Sequence, residues 1–520
     1  MSKGQSALLR DLLLSLPLGV LLTLSFAPFD LWWLSLFSLV GLRLSTTDVD
    51  RRTVLIRYYG FGLGAFGTGI SWIFVSIHEY GGASVWLALV MVTLFVFAWS
   101  LTLLPQAWLL NTLERAPRTA GGHWFAVTWV LGELLRSHLL TGFPWLLVGY
   151  GHLETLWSGW APVGSVYLVG FFVALSAELV ASALQSASWS RSVPHISLLT
   201  LILGSSILMS SQSWVVAGKT LSVAGVQGNL DQHTKWYAHQ FRENFDRHWK
   251  PTLGLRDVSL VVWPEAAFTD FRQNRERLVQ AMHEEMIRQE AGLILGIPGR
   301  DDEGYTNTAL GLGKAQGQYI KRHLVPFGEY VPLESWLRGV ITFFDLPMSR
   351  NRPGPREQAP LTLNGIPLAL SICYEIAYPE LVRSAARDPG LLVTISNDTW
   401  FGDSIGPWQH LQIAQMRALE LGRDLLRVTN NGVTALIDAT GKKLAMLPRN
   451  EPGVLVGEVS VYEGKTPFQA LGYQFLWAAL IVVFFANLLW VRLGKQSVRS
   501  GFSHAPETDD VELPPSKKGP

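Results

Sequence analysis

The chain has 520 residues, of which 48% are hydrophobic and only 16% charged, with a formal net charge of +1 and a mean hydropathy of +0.22. That length and charge deficit exclude a single soluble domain, and the near-zero charge leaves no basic field for nucleic acid. One cysteine in the whole chain excludes an internal disulfide or a cysteine-based zinc site, and no His-Glu-x-x-His motif is present, so neither metal nor cofactor is expected.

The charge deficit is concentrated. Residues 8–213 are almost continuously apolar, 219–466 have ordinary soluble composition, and 470–493 are apolar again. A bilayer crossing takes about 20 apolar residues. Eight spans are expected on that basis: 8–27, 30–46, 58–77, 83–104, 123–141, 160–186, 195–213 and 470–493. The first follows Lys3 and Arg10 as a signal peptide would, but it has no A-x-A cleavage site and more spans come after it, so it reads as a retained helix.

Arg43, Arg51, Arg52 and Arg57, then Arg115 and Arg118, then Arg191 lie in loops that alternate with cation-poor loops around 78–82 and 142–157. Together with Lys3, Arg492, Lys495 and Arg499 they place both termini on the cytoplasmic side. The expected organisation is a helical membrane domain over 1–213, a soluble domain over 214–468 outside the cytoplasm, a last span over 469–494, and a cytoplasmic tail over 495–520. In a bacterium the soluble domain would face the periplasm from the inner membrane. The tail is rich in Pro, Asp and Lys and reads as disordered.

Two patterns inside the apolar half call for a reading. Gly62-Leu63-Gly64-Ala65-Phe66-Gly67 satisfies G-x-G-x-x-G, but it lies in a span with no preceding βα unit. Close helix packing through small residues, Gly60 and Gly64 included, is expected instead of nucleotide binding. Glu133, Arg136 and Glu178 are costly inside a membrane. Glu133 and Arg136 share a helix face, which suggests an interhelical clamp first and a lipid-headgroup contact second.

From Thr220 the pattern changes to short β-branched runs. Strands are expected over 221–226, 258–263, 292–296, 308–312, 367–372, 391–396, 432–438 and 453–459, with helices over 241–253, 273–289 and 407–422. Many of the strands are apolar on both faces, as in a sheet covered on both sides. The segment 333–356 crowds Trp336, Leu337, Phe343, Phe344 and Met348 into a polar stretch. It reads either as a loop packed on its own domain or as an apolar lid that meets the bilayer.

The lone cysteine, Cys373, ends an apolar run in Ser371-Ile372-Cys373-Tyr374-Glu375. By itself such a residue is most often a small buried hydrophobe. Glu265, after Trp263-Pro264, and Lys321, after Tyr319-Ile320, also end apolar runs. Singly, their ordinary reading is a surface ion pair. A base, a cation and a thiol at three strand ends together suit covalent catalysis. Glu265 is the candidate general base and Lys321 the candidate oxyanion partner, with backbone N–H groups just after Cys373 assisting it. A strand-to-helix elbow at Cys373 would expose the nucleophile.

The order Trp-Pro-Glu, Lys, Cys-Tyr-Glu resembles the Glu-Lys-Cys triad of the carbon–nitrogen hydrolase (nitrilase) superfamily. Longer strings resemble the membrane-bound acyltransferases within it: Val226-Gln227-Gly228-Asn229, Lys321 to Glu329, Ser396-Asn397-Asp398-Thr399-Trp400-Phe401-Gly402, Thr429-Asn430-Asn431-Gly432 and, in the membrane part, Gly142-Phe143-Pro144-Trp145. The resemblance implies a four-layer α-β-β-α sandwich beside a polytopic helical membrane domain. It implies transfer of a fatty acyl group from the sn-1 position of a phospholipid, through a Cys373 thioester, to the N-terminal amine of a diacylglyceryl-cysteine in a lipoprotein. It assigns supporting roles to Glu329, Glu375 and Tyr374 and places Tyr374 and Trp236 near the substrate path; Asn307 is expected on that path too, hydrogen-bonding near the site. The implied partners are the lipid donor, the lipoprotein acceptor and the membrane; a monomer is expected, though no residue pattern in the sequence sets the oligomeric state. The triad alone also fits a membrane-tethered amidase acting on a small amide.

Overall fold

The computed structural model describes residues 3–502 apart from 117–118, 120–121, 303, 332–350 and 389. Arg118, the tail beyond Phe502 and most of the apolar segment 333–356 therefore lie outside the described residues.

The apolar half forms α1 (Lys3–Thr23), α2 (Trp33–Thr46), α3 (Arg51–Gly69), α4 (Trp72–Val75), α5 (Val85–Ser100), α6 (Leu104–Arg115), α7 (Phe125–His138), α8 (Ala161–Gln185) and α9 (Trp189–Ser210). Among the described residues, five stretches are long and apolar enough to cross a membrane: Gln5–Thr23, Val85–Arg115, Leu156–Gln185, Trp189–Ser210 and Gln474–Val491. Helix α3 and the segment Trp72–Tyr80 meet the same test together but are bent by 53°, as in a broken span or a re-entrant loop, which makes up to six. The expected spans 30–46 and 123–141 are instead helices of 14 residues each, short of the roughly 20 that a crossing takes. Left-handed residues set these limits: Asp30 before α2, and Leu140, Thr141 and Gly142 after α7. Helix α8 is buried along almost its whole length, whereas the other spans leave most of their surface facing outward, as lipid-facing helices do.

Side chains at Gly60 and Gly64 of α3 would strike Ser15 and the Leu16 carbonyl of α1, and one at Gly19 would strike the Phe61 carbonyl. The glycine pattern thus serves close helix contact, as expected. The buried charges tie α7 to its surroundings. Glu133 accepts the Val148 amide at 2.8 Å and the Trp129 indole at 3.1 Å, with Arg136 at 3.8 Å. From α8, Glu178 accepts the first amides of α7, Phe125 at 3.0 Å and Ala126 at 3.2 Å, which caps that helix.

The polar half contains β1 (Val216–Gln227), α10 (Phe241–Gly254), β2 (Leu260–Val262), α11 (Glu276–Arg288), β3 (Gly292–Asp301), β4 (Gly304–Gly313), β5 (Ala315–Gln316), β6 (Gln318–Ile320), β7 (Leu361–Leu363), β8 (Ile366–Ile372), α12 (Pro379–Ala385), β9 (Leu391–Ser396), α13 (Gly406–Leu421), β10 (Leu425–Thr429), β11 (Ala435–Ile437), β12 (Lys443–Met446) and β13 (Gly453–Glu463). After these come α14 (Pro467–Leu471) and α15 (Gln474–Phe502), the latter running past the expected end at 494. The strands form two sheets, ordered β13-β1-β2-β3-β4-β6 and β12-β11-β10-β9-β8-β7-β5. Their central members pair in parallel: β1 with β2 and β2 with β3, then β8 with β9 and β9 with β10.

Val223, Val262, Ile294, Leu370, Val393 and Val428 fill the layer between the sheets. Phe245, Met282 and Met286 of α10 and α11 cover the outside of the first sheet. The outside of the second is covered by α13, whose Ala414 and Leu421 belong to the same core as Val166 and Tyr167 of α8. The layers are α-β-β-α, and the last of them is continuous with the membrane helices.

Candidate active site

In open parallel sheets, chemistry collects beyond the carboxyl ends of the strands. Here Glu265 follows β2, Lys321 follows β6, Cys373 follows β8, Asn397 follows β9 and Asn430 follows β10. Gly296 on β3 makes room for the first of these. A Cβ there would lie 2.7 Å from the Glu265 Cα and 2.6 Å from the Ala266 amide, closer than real contacts allow.

Lys321 is buried between two carboxylates, with Nζ at 2.9 Å from Glu329 and 3.4 Å from Glu265. Asn307 on β4 bridges the same pair, donating Nδ2 to Glu265 Oε1 at 2.6 Å and to Glu329 Oε1 at 3.1 Å. The second Glu265 oxygen accepts the Asn397 backbone amide at 2.8 Å. Glu329 is held in turn by the Val325 amide at 2.9 Å. Burial works against the charge on Lys321, but Glu329 and Glu265 outweigh it and hold the ammonium above the ordinary lysine range.

Cys373 opens a 3-10 turn (Cys373–Ala377) directly after β8, with φ at +53°. A non-glycine residue in that left-handed region is held there by its surroundings. This is the elbow the spacing predicts. The residue keeps part of its surface exposed. Its thiol is nevertheless pushed up, first by burial and then by the negative charge of Glu265, with Lys321 acting the other way. The resting site thus favours a protonated thiol facing a base, with a cation alongside.

Glu375 is fully buried and accepts four hydrogen bonds: from the amides of Arg322 at 2.7 Å, His323 at 3.1 Å and Ile372 at 2.8 Å, and from the Tyr319 hydroxyl at 2.9 Å. It ties the loop carrying Lys321 to the elbow carrying Cys373. Burial raises its pKa, while these donors and Lys321 oppose the rise.

The elbow also rests on the membrane part. The Gly142 carbonyl accepts the hydroxyls of Tyr374 at 3.1 Å and Tyr378 at 2.7 Å, and the Trp145 indole donates to Gln409 of α13 at 2.7 Å. Trp236 is 38% exposed on the loop after β1, beside the buried Lys235, whose Nζ lies 5.3 Å from the indole centroid. Residues 351–354, at the end of the apolar segment, are anchored here as well: the Asn351 amide donates to the Glu329 carbonyl at 3.0 Å and the Gly354 amide to the Lys321 carbonyl at 2.8 Å.

Of the eight residues singled out from sequence, Glu265, Lys321, Glu329 and Asn307 are joined by hydrogen bonds and ion pairs, Glu375 ties the Lys321 loop to the strand end carrying Cys373 and Tyr374, and Trp236 lies apart on the loop after β1. Sequence reasoning passed over Asn397, whose amide fixes the base, and Lys235, whose ammonium burial pushes down to about 8 against the pull of Glu265. It also gave no role to Asp398, His410 and Arg427 behind the elbow. Asn397 and Asp398 stand in a string already quoted, but a backbone contact leaves no residue-type signature.

Two family models match the chain: the apolipoprotein N-acyltransferase N-terminal domain over residues 18–179 and carbon-nitrogen hydrolase over residues 222–466. An apolipoprotein N-acyltransferase of Pseudomonas paraeruginosa is 42% identical over 501 residues, spanning 93% of this chain and 96% of that one. The chain belongs to the apolipoprotein N-acyltransferase family. Another member, from Vibrio vulnificus, is 35% identical over 487 residues, spanning 89% of this chain and 94% of its own. A crystal structure of a CN-hydrolase superfamily protein from Xanthomonas campestris is 20% identical, with a TM-score of 0.36, and covers 47% of this chain and 91% of that one. With its two family models, its relatives and its apolar helices, the chain is a membrane-bound member of an acyltransferase family, and its residues 222–466 have the carbon–nitrogen hydrolase fold.

Proposed function

We propose that this chain N-acylates lipoproteins by ping-pong chemistry at Cys373, with a membrane phospholipid as donor. Sγ attacks the sn-1 ester carbonyl while Glu265 takes the thiol proton, and Lys321 with the amides after Cys373 balances the oxyanion. Collapse of the intermediate breaks the ester C–O bond. The proton on Glu265 goes to the leaving lysophospholipid oxygen, and the acyl group remains as a thioester. The neutral α-amine of a diacylglyceryl-cysteine then attacks the thioester, Glu265 accepts its proton, and the thiolate leaves to be reprotonated.

One observation carries this reading above all: the thiol, the base and the cation converge on an elbow that hangs from a membrane loop through Tyr374 and Tyr378. A hydrolase of small soluble amides has no use for that attachment, whereas a lipid donor and a lipidated acceptor both arrive from the bilayer. Lys3 before the first span and Arg492, Lys495 and Arg499 after the last support cytoplasmic termini; with the bent α3 pair counted as one span, five spans precede the catalytic half and leave it on the opposite, periplasmic face. Glu329 and Asn307 hold the Glu265–Lys321 pair in register, Glu375 sets the elbow, and Trp236 borders the substrate path.

Intact mass of the detergent-purified protein incubated with phospholipid tests the reading. Wild type gains one fatty acyl mass that hydroxylamine removes, and Cys373→Ala gains none. If a folded wild type gains no such mass from a range of phospholipids yet releases ammonia from small amides, acyl transfer is refuted and the amidase takes its place.

A further inference from the structure

Behind the elbow lies a cluster of charged and polar groups that the reaction itself does not use. His410 on α13 is fully buried, and its Nε2 stands 3.2 Å from the backbone carbonyl oxygen of Cys373. On its other side, Nδ1 is 3.0 Å from Asp398 Oδ1 and 3.1 Å from Arg427 Nη2. Arg427 also donates to Asp398 Oδ2 at 2.6 Å, and Ser396 Oγ donates to Asp398 Oδ1 at 2.6 Å. Asp398 and Arg427 are buried like the imidazole. Trp145 of the membrane part, with its ring centroid at 5.9 Å, and Phe401, at 5.6 Å, pack beside the imidazole.

The hydrogen on this ring can be placed from its partners. A carbonyl oxygen only accepts, so Nε2 must carry a hydrogen for the 3.2 Å contact to be a bond. At Nδ1 the partners pull opposite ways, since Asp398 Oδ1 at 3.0 Å only accepts and Arg427 Nη2 at 3.1 Å only donates, but the hydrogen on Nε2 is required with either of them. Ser396 and Arg427 supply donors to the two oxygens of Asp398. The network therefore fixes an imidazole whose Nε2–H points at the peptide of the nucleophile. Buried networks with their members paired rigidify what they touch. What this one touches is a residue at φ +53°, a conformation that costs of order 1–3 kcal/mol and persists only where neighbours impose it.

We propose that His410 is a positioning residue for the nucleophile: its Nε2–H holds the Cys373 carbonyl, and through it the left-handed elbow, so that Sγ faces Glu265 and Lys321. The proposal rests on the acyl-transfer reading for its kinetic consequence, but the local geometry it describes does not depend on the substrate. His410 touches neither the thiol proton nor the oxyanion in this role. Glutamine can place an amide donor near the position of Nε2, whereas leucine fills the space without a donor.

The test compares wild type with His410→Leu and His410→Gln in the full-length, detergent-purified protein. Acyl-enzyme formation from phospholipid is followed by intact mass over a range of donor concentrations, and alkylation of Cys373 by iodoacetamide is followed separately. A displacement of about 1 Å at a reacting atom costs roughly a hundredfold in rate. His410→Leu is therefore expected to lower the limiting rate of acylation about a hundredfold with an unchanged half-saturating donor concentration, and to slow alkylation about tenfold. His410→Gln is expected to stay within about threefold of wild type in both. A merely structural role would lower the thermal midpoint of both variants without this split between them.

Equal rates in wild type and His410→Leu overturn the proposal. So does a folded His410→Gln that is as slow as His410→Leu. If His410→Leu does not fold, the His410→Gln rates and their half-saturating concentration decide alone. Should wild type form no acyl adduct, the function proposed above fails, while the alkylation rates still decide the role of His410.

Discussion

Glu375→Gln removes one oxygen acceptor from a carboxylate that serves four donors. The glutamine oxygen can keep the three bonds made by Arg322, His323 and Tyr319, but its amide then faces the Ile372 N–H, donor against donor. One buried N–H is left unpaired at ~1–3 kcal/mol, and three charge-assisted bonds become neutral ones at roughly 0.5–1 kcal/mol each. The variant no longer buries a charge, which offsets ~1–2 kcal/mol of that loss. The net expectation is a destabilisation of about 3 kcal/mol. Because Ile372 precedes Cys373, the lost bond falls at the elbow, and acyl-enzyme formation should slow about a hundredfold. Thermal unfolding in detergent measures the first effect, and the time course of the hydroxylamine-labile mass measures the second. A Glu375→Gln protein that unfolds at the wild-type temperature and acylates at the wild-type rate would refute the picture of an ionised clamp between the Lys321 loop and the nucleophile.

Two further outcomes follow from the same site. Gly296→Ala places a methyl against the Glu265 backbone and should cost about a hundredfold in acylation rate; acylation at the wild-type rate would show that the Trp-Pro-Glu turn moves aside freely. Lys235 has a folded pKa of about 8 against the ordinary 10.5, so its charge opposes folding in full below pH 8, and stability should rise between pH 8 and 10.5 as the folded state releases the proton first. Lys235→Met should unfold at a higher temperature at pH 7, by an amount equivalent to at most roughly 3 kcal/mol, and lose that rise; an unchanged pH profile would count against the assignment.

The approach of Glu265, Lys321 and Cys373 and the turn at Cys373 were legible because each residue ends a run of apolar residues, and strand ends converge in a parallel sheet. Strand β10 was not. Its sequence, Leu425-Leu426-Arg427-Val428-Thr429, follows Arg423-Asp424 and carries a guanidinium at its centre. Charge in a central strand is rare unless it is paired, and the partner, Asp398, lies 29 residues away in sequence. The 14-residue helices α2 and α7 were also overestimated, because hydropathy sees the apolar turns at their ends and not the left-handed residues that reverse the chain there. The packing of α13 on α8 had no sequence signal at all. It arises because one face of the hydrolase layer and one face of the membrane bundle are apolar and adjoin.

The Gly142 carbonyl, which takes the hydroxyls of both Tyr374 and Tyr378, has a geometric consequence. An ester in a phospholipid lies at a set depth beneath its headgroup. The sulfur of Cys373 hangs from a loop at the end of α7, so its height is measured from the membrane helices as well as from its own sheet. Bilayers of different thickness would shift that loop against the plane of the lipid esters. With the phospholipid donor proposed above, depth becomes a selective coordinate of the site, alongside shape and charge.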